Sequence, residues 1–200
     1  MMGGVLDDFF ANKPQYVFST SIEKDCAHQW LNYGNTAPLC IEFDREKLCK
    51  FFTDYLQSKA ADDFYSSQVE YDIDKIKTKI KELISIYAKN FSEEDNCPEQ
   101  FKSLKEKFYR TYACSKQNKF WAEKEYRFSI YSERRPEFRT RGNLLVSYIE
   151  VGIEKEELPI TGIIIGPYNK DGHYKDTVEK FLKKFNYNIE VASSELSLRQ

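Results

Sequence analysis

The sequence predicts an α+β protein: one domain over residues 1–200, with a central mixed or antiparallel sheet and a helical insertion over about residues 51–114. Three observations predict it. Short apolar runs of strand length lie near both ends of the chain. Long segments between them repeat their apolar residues at helical spacing. Strands and helices, about six and about four, do not alternate as a repeated βαβ pattern requires.

The elements follow in order. Tyr16–Ser21 reads as a short strand ending in hydroxyls, and Asp25 to Tyr33 as a short helix or turn closed by Gly34-Asn35. Leu39–Phe43 is a second strand. Asp44 then caps a helix from Glu46 to Leu56, in which Leu48, Phe51, Phe52 and Tyr55 recur at helical spacing. Gln68 to Tyr71 reads as one more short strand. Asp72 or Asp74 opens a helix carrying Ile73, Ile76, Ile80, Leu83, Ile84 and Tyr87. The polar loop Ser92–Pro98 leads to a helix from Gln100 to Cys114. The last third reads as strands at Trp121–Ile130, Leu144–Ile149 and Ile160–Ile165, a helix at Tyr174–Phe185 and a closing strand at Asn188–Ala192. Gly166-Pro167 stops the third of those strands.

Composition narrows the function. The chain carries 15 Phe, 14 Tyr and 2 Trp, too aromatic for disorder. Thirty Lys and Arg against 32 Asp and Glu leave a net charge of -2, which excludes a polybasic nucleic-acid coat but not a local basic groove. No apolar run reaches membrane-span length, and Met1 to Asp8 lack the pattern of a secretory signal, so a cytoplasmic protein off the membrane is expected. Five cysteines without C-x-x-C spacing and only His28 and His173 give no metal site. The glycines form no phosphate-cradling motif and no nucleophile elbow.

The densest polar stretch is Lys119 to Phe128. As a strand it places Trp121, Glu123, Glu125 and Arg127 on one face. Paired carboxylates there can take a proton or stabilise a developing cation, and Arg127 can clamp a phosphate. The same pattern also reads as an ion-pair ladder on a solvated face. Ser19 and Ser21 share a strand face and either bind a ligand or cap the next turn. His28, Trp30 and Tyr33 add an imidazole and two rings that either stack on a base or pack the core. Arg134, Arg135, Arg139 and Arg141 form a basic cluster, read either as a phosphate contact or as a solvated loop.

Phe18-Ser19-Thr20-Ser21, then Gln29 to Gly34, then Cys40 to Asp44, resembles the opening of a widespread bacterial family of unknown function numbered 2971. Lys119, Trp121 and Glu123 to Arg127 resemble its later signature, and Ile163 to Pro167 with Ser193 to Arg199 its closing part. This resemblance spans about Tyr16 to Arg199 and implies a fold without an activity. A second resemblance is local: Ser19-Thr20-Ser21 and Glu123-Lys124-Glu125 are similar to two of three signatures of the arginine-serine-glutamate ADP-ribosyltransferases. It implies NAD as substrate, with the serine motif supporting the dinucleotide, Glu125 stabilising the ribosyl cation and Glu123 orienting the acceptor. No arginine precedes Ser19, so Arg127 or Arg139 replaces the class's first arginine or the phosphate clamp is absent. The expectation is therefore a nucleotide-handling protein, of ADP-ribosyltransferase-like character, in a bacterial defence or toxin system. Its rivals are a nucleic-acid-associated accessory module with weak phosphate contacts and a non-catalytic domain that meets a partner protein.

Overall fold

The computed structural model describes residues 14–34, 39–57, 63–90, 98–152, 157–168 and 172–197. Residues 92–97 of the polar loop fall outside them. The α+β class is as expected, with antiparallel and mixed sheets, but among the described residues the strands are shared among three sheets. The chain divides into two compact units, Met1–Thr20 with Phe52–Ile153 and Ser21–Phe51 with Glu154–Gln200.

The first unit is built on a three-stranded sheet ordered β1-β4-β3 (Gln15–Ser21, Glu125–Tyr131 and Asp63–Gln68). β3 and β4 pair antiparallel, with Tyr65 opposite Ser129 and Ser67 opposite Arg127. The period of two gives β4 two unlike faces. One face carries Phe128, whose ring stacks on Phe52 at 5.0 Å, while Phe52 stacks on Phe64 at 5.5 Å. The other carries Glu125, Arg127, Ser129 and Tyr131. There Tyr109 packs 4.4 Å from Tyr131 and 6.2 Å from Tyr65. Tyr109 belongs to α4 (Pro98–Ala113), which packs on α3 (Ile73–Asn90) through Leu83 and Leu104. Asp72 caps α3: its Oδ1 accepts the N–H groups of Asp74 at 2.9 Å and Lys75 at 3.3 Å. β5 (Glu137–Arg141) and β6 (Leu144–Tyr148) form a separate hairpin. Gly142, at φ +59, takes the first central position of its two-residue turn, where a side chain is disfavoured.

The second unit has the sheet β2-β7-β8 (Leu39–Phe43, Ile160–Ile165 and Glu190–Ser193). β2 is antiparallel to β7, and β8 is parallel to it. The parallel pair needs a crossover, which α5 (Gly172–Lys184) supplies. Its Val178 and Leu182, one helical turn apart, close a core with Ile163, Ile165 and Val191. The near-continuous apolar run of β7 suits a central strand. α1 (Ala27–Tyr33) precedes β2. α2 (Arg45–Gln57) follows it, with Lys47 N–H on Asp44 Oδ1 at 3.0 Å, and carries the chain from the second unit into the first.

Three sequence expectations need correction. Trp121–Ile130 is not one strand: Asn118–Glu123 is a 3-10 helix, and Lys124 adopts the left-handed conformation (φ 45, ψ 50) before β4 begins. One left-handed residue breaks the period of two, so Trp121 shares no strand face with Glu125. The strand expected at Gln68–Tyr71 lies earlier, at Asp63–Gln68; Val69 N–H still bonds the Glu125 carbonyl on β4, but Glu70 turns its N–H away to the Cys114 carbonyl. The stretch 51–114 thus contains a sheet strand between its helices. The basic stretch read as a loop contains β5.

Candidate functional site

The polar face of β4 carries the densest chemistry among the described residues of the first unit. The 3-10 helix delivers Glu123, the left-handed Lys124 caps that helix, and Glu125 starts the strand. The two carboxylates meet one cation on the segment after α4. Lys116 Nζ contacts Glu123 Oε2 closely and lies 2.8 Å from Glu125 Oε1. Arg127 donates its Nε–H to Glu125 Oε2 at 2.6 Å and an Nη1–H to the Ala113 carbonyl at 2.8 Å. The Glu125 backbone N–H bonds the Tyr71 hydroxyl at 2.9 Å. Glu123 and Glu125 are each 8% exposed. Two acids and two bases balance, the condition under which buried charge is tolerated.

The protonation states follow. Burial pushes the Glu125 carboxyl up, but Glu123, Lys116 and Arg127 around it more than offset that and hold it at about 2. Burial pulls the Lys116 ammonium down, and the two glutamates bring it above its ordinary value. The Cys114 thiol is raised by burial against the opposing pull of Arg127 and Arg110. Glu125 therefore stays ionised and Lys116 charged at neutral pH, while the Cys114 thiol stays protonated.

Beside this quartet lies a cleft of about 260 Å³ between the end of β3 and the helices α3 and α4. Cys114 and Ser115 line it next to Lys116 in the chain, and Ser67 lines it opposite Arg127 in the β-ladder. Its charged walls are Lys79, Lys107 and Arg110 against Glu70 and Glu82. Lys107 and Arg110 sit three apart on α4, so both project from one helix side. Glu70 Oε1 is turned to the N–H groups of Tyr71 and Asp72, at 3.1 and 3.0 Å.

A family model described as a protein of unknown function, DUF2971, matches residues 29–128, half of the 200 residues. The chain belongs to that family. No curated protein and no solved structure matches it. The DUF2971 span begins within α1, takes in the cleft, the charged quartet and the start of β4, and stops before the hairpin.

Of the residues singled out in the sequence, Glu123, Glu125 and Arg127 come together. Trp121 stands 59% exposed on the 3-10 helix. Ser19 is exposed on β1, and Arg139 is exposed on the hairpin with its guanidinium 5.4 Å from the Tyr148 ring centre. Ser21, His28, Trp30 and Tyr33 belong to the second unit. Ser21 Oγ accepts the Glu23 N–H at 3.3 Å, and His28 Nε2 lies 3.1 Å from the Asn32 amide. Trp30 is buried and donates its indole N–H to Asp25 Oδ1 at 2.8 Å. Asp25 also accepts from the Ser194 hydroxyl at 2.6 Å and the Glu195 N–H at 2.9 Å. Trp30 thus belongs to the core. Arg134 turns to Ser132 and the Tyr55 hydroxyl within its own unit and so leaves the basic surface cluster.

Sequence reasoning missed Lys116, Tyr71, Lys79, Lys107 and Arg110. Only the i, i+3 spacing of Lys107 and Arg110 was a readable signal. Among the described residues no three histidines, cysteines or acids cluster as a metal site, and no helix is long and apolar enough to cross a membrane.

Proposed function

We propose that the chain is a nucleotide-handling protein that takes the phosphate end of its ligand into the cleft between β3, α3 and α4. The observation that carries this reading is the convergence of Lys79, Lys107 and Arg110 on one concave site. Cations converging in a cleft focus the field on an anion, and arginine's planar fork suits phosphate oxygens. The volume of about 260 Å³ lies just under the range for whole drug-sized ligands. It suits a phosphate and its sugar, with a base reaching outward. In this reading the glutamates are positioning residues. They hold Lys116 and Arg127, which fix the Ala113–Lys116 segment that forms part of the cleft.

The experiment is calorimetric titration of the whole chain with ADP, NAD and inorganic pyrophosphate. Arg110→Ala should weaken binding of all three by tenfold or more, the usual effect of removing a charged hydrogen-bond donor. Absence of heat with all three, or equal affinity in parent and variant, would overturn the cleft assignment.

A second reading rests on the meeting of Glu123 and Glu125. An ionised Glu125 is what ADP-ribosyl transfer requires beside a ribosyl cation. Two cations already compensate its charge, which is why binding is placed first. Release of nicotinamide from NAD by the parent, lost in Glu125→Gln while Arg110→Ala merely raises KM, would put transfer first.

A further inference from the structure

The hairpin β5–β6 takes no part in the cleft. Every residue of β5 is exposed, and Phe138 is 59%, Leu144 70% and Leu145 70% exposed. Among the described residues each of its strands pairs only with the other, which leaves each a second edge. Open strand edges are usually blunted in proteins or else used, and apolar side chains exposed together beside one mark an interaction surface.

The register says what would use it. Arg139 stands opposite Val146 and Arg141 opposite Leu144, so both guanidiniums share one face with two apolar side chains. Phe138 and Thr140 point to the other face, with Leu145 and Ser147 across from them. Arg139 lies over Tyr148, the pairing of aromatic ring and guanidinium that recurs in protein interfaces. Two arginines against Glu137 are too few to grip a nucleic-acid backbone firmly on a chain of net charge -2. They match two carboxylates. A strand laid along β5 would present every second side chain to one face, with directly opposed residues about 5 Å apart. Acids two apart would meet Arg139 and Arg141, and the apolar residue between them would meet the Phe138 face.

We propose that the outer edge of β5 docks an extended protein segment by strand addition, and that this segment carries two acidic residues two apart with one apolar residue between them. This goes beyond the cleft reading and stands without it.

The test uses the whole chain and a fluorescently labelled synthetic nonapeptide alternating aspartate and valine, followed by anisotropy. The expected result is saturable binding that falls at least tenfold in the doubly substituted Arg139→Ala, Arg141→Ala variant. The Arg139→Lys, Arg141→Lys pair keeps the charge but loses the fork, and should fall between. A peptide with alternate backbone amides N-methylated should lose binding, because strand addition runs through main-chain hydrogen bonds. Circular dichroism confirms that the variants are folded. The proposal is overturned by no binding, by equal binding of a lysine-valine peptide, or by indifference to N-methylation. It is also overturned if a short duplex DNA binds and competes with the peptide, or if sedimentation shows that the hairpin instead pairs two copies of the chain.

Discussion

Lys116 is the residue on which the charged quartet turns. It reaches back to Glu123 and Glu125 at once, and both acids are almost wholly withdrawn from water. Lys116→Met keeps the length of the stem and removes the charge, leaving two carboxylates facing each other with only Arg127 as counterion. Removing one partner of a buried ionic cluster costs about 3–5 kcal/mol. Urea unfolding at pH 7 should show that loss, with Lys116→Arg recovering part of it. A change under 1 kcal/mol would mean that water screens the quartet. The sequence presented Glu123, Glu125 and Arg127 as a set but gave no sign of Lys116. Their convergence depends on the positive φ of Lys124, a conformation that side-chain chemistry does not advertise.

At the scale of elements, legibility followed the strength of the local pattern. β2 and β7 lie where their apolar runs placed them, and α3 starts where an aspartate precedes its helical repeat. Capping makes that start testable. Asp72→Ala removes the acceptor for two backbone N–H groups and should cost about 1 kcal/mol. Thermal unfolding should register it, and Asp72→Asn should restore most of the loss. Less legible were the elements whose partners are distant in sequence. β3 is a polar strand, ending Tyr-Ser-Ser-Gln, held by pairing with β4 more than by its own propensity. β6 lies where its apolar run placed it, but β5 looked like a basic loop because exposure on both faces removes the alternation that marks a half-buried strand. The cleft was hidden for the same reason: its three bases come from two helices and read singly as solvated positions.

For the whole molecule, acid is the condition that tests both units together. Glu125 in the first unit is held at about 2 against an ordinary value of 4.5. In the second unit burial raises the Asp25 carboxyl, but Ser194, Trp30 and Glu195 outweigh it and set it below 3.8. Both groups are depressed in the fold, so the unfolded chain takes up their protons first as pH falls. Their stabilisation is fully present above about pH 5 and is lost as pH drops towards 2. For Glu125 the difference corresponds to about 3 kcal/mol. The parent curve alone does not isolate it, because many of the 32 acidic residues titrate in the same window. The difference between parent and Glu125→Gln does. Glutamine cannot titrate, so the variant should be the less stable at pH 7, and the gap should narrow steadily from pH 5 to pH 3. Ser194→Ala should show the same narrowing on a smaller scale, at the Asp25 end. Urea unfolding at pH 7, 5, 4 and 3 measures each gap. A Glu125 gap that stays constant across that range would show that the carboxylate contributes by packing and not by charge, and would remove the electrostatic account of the quartet.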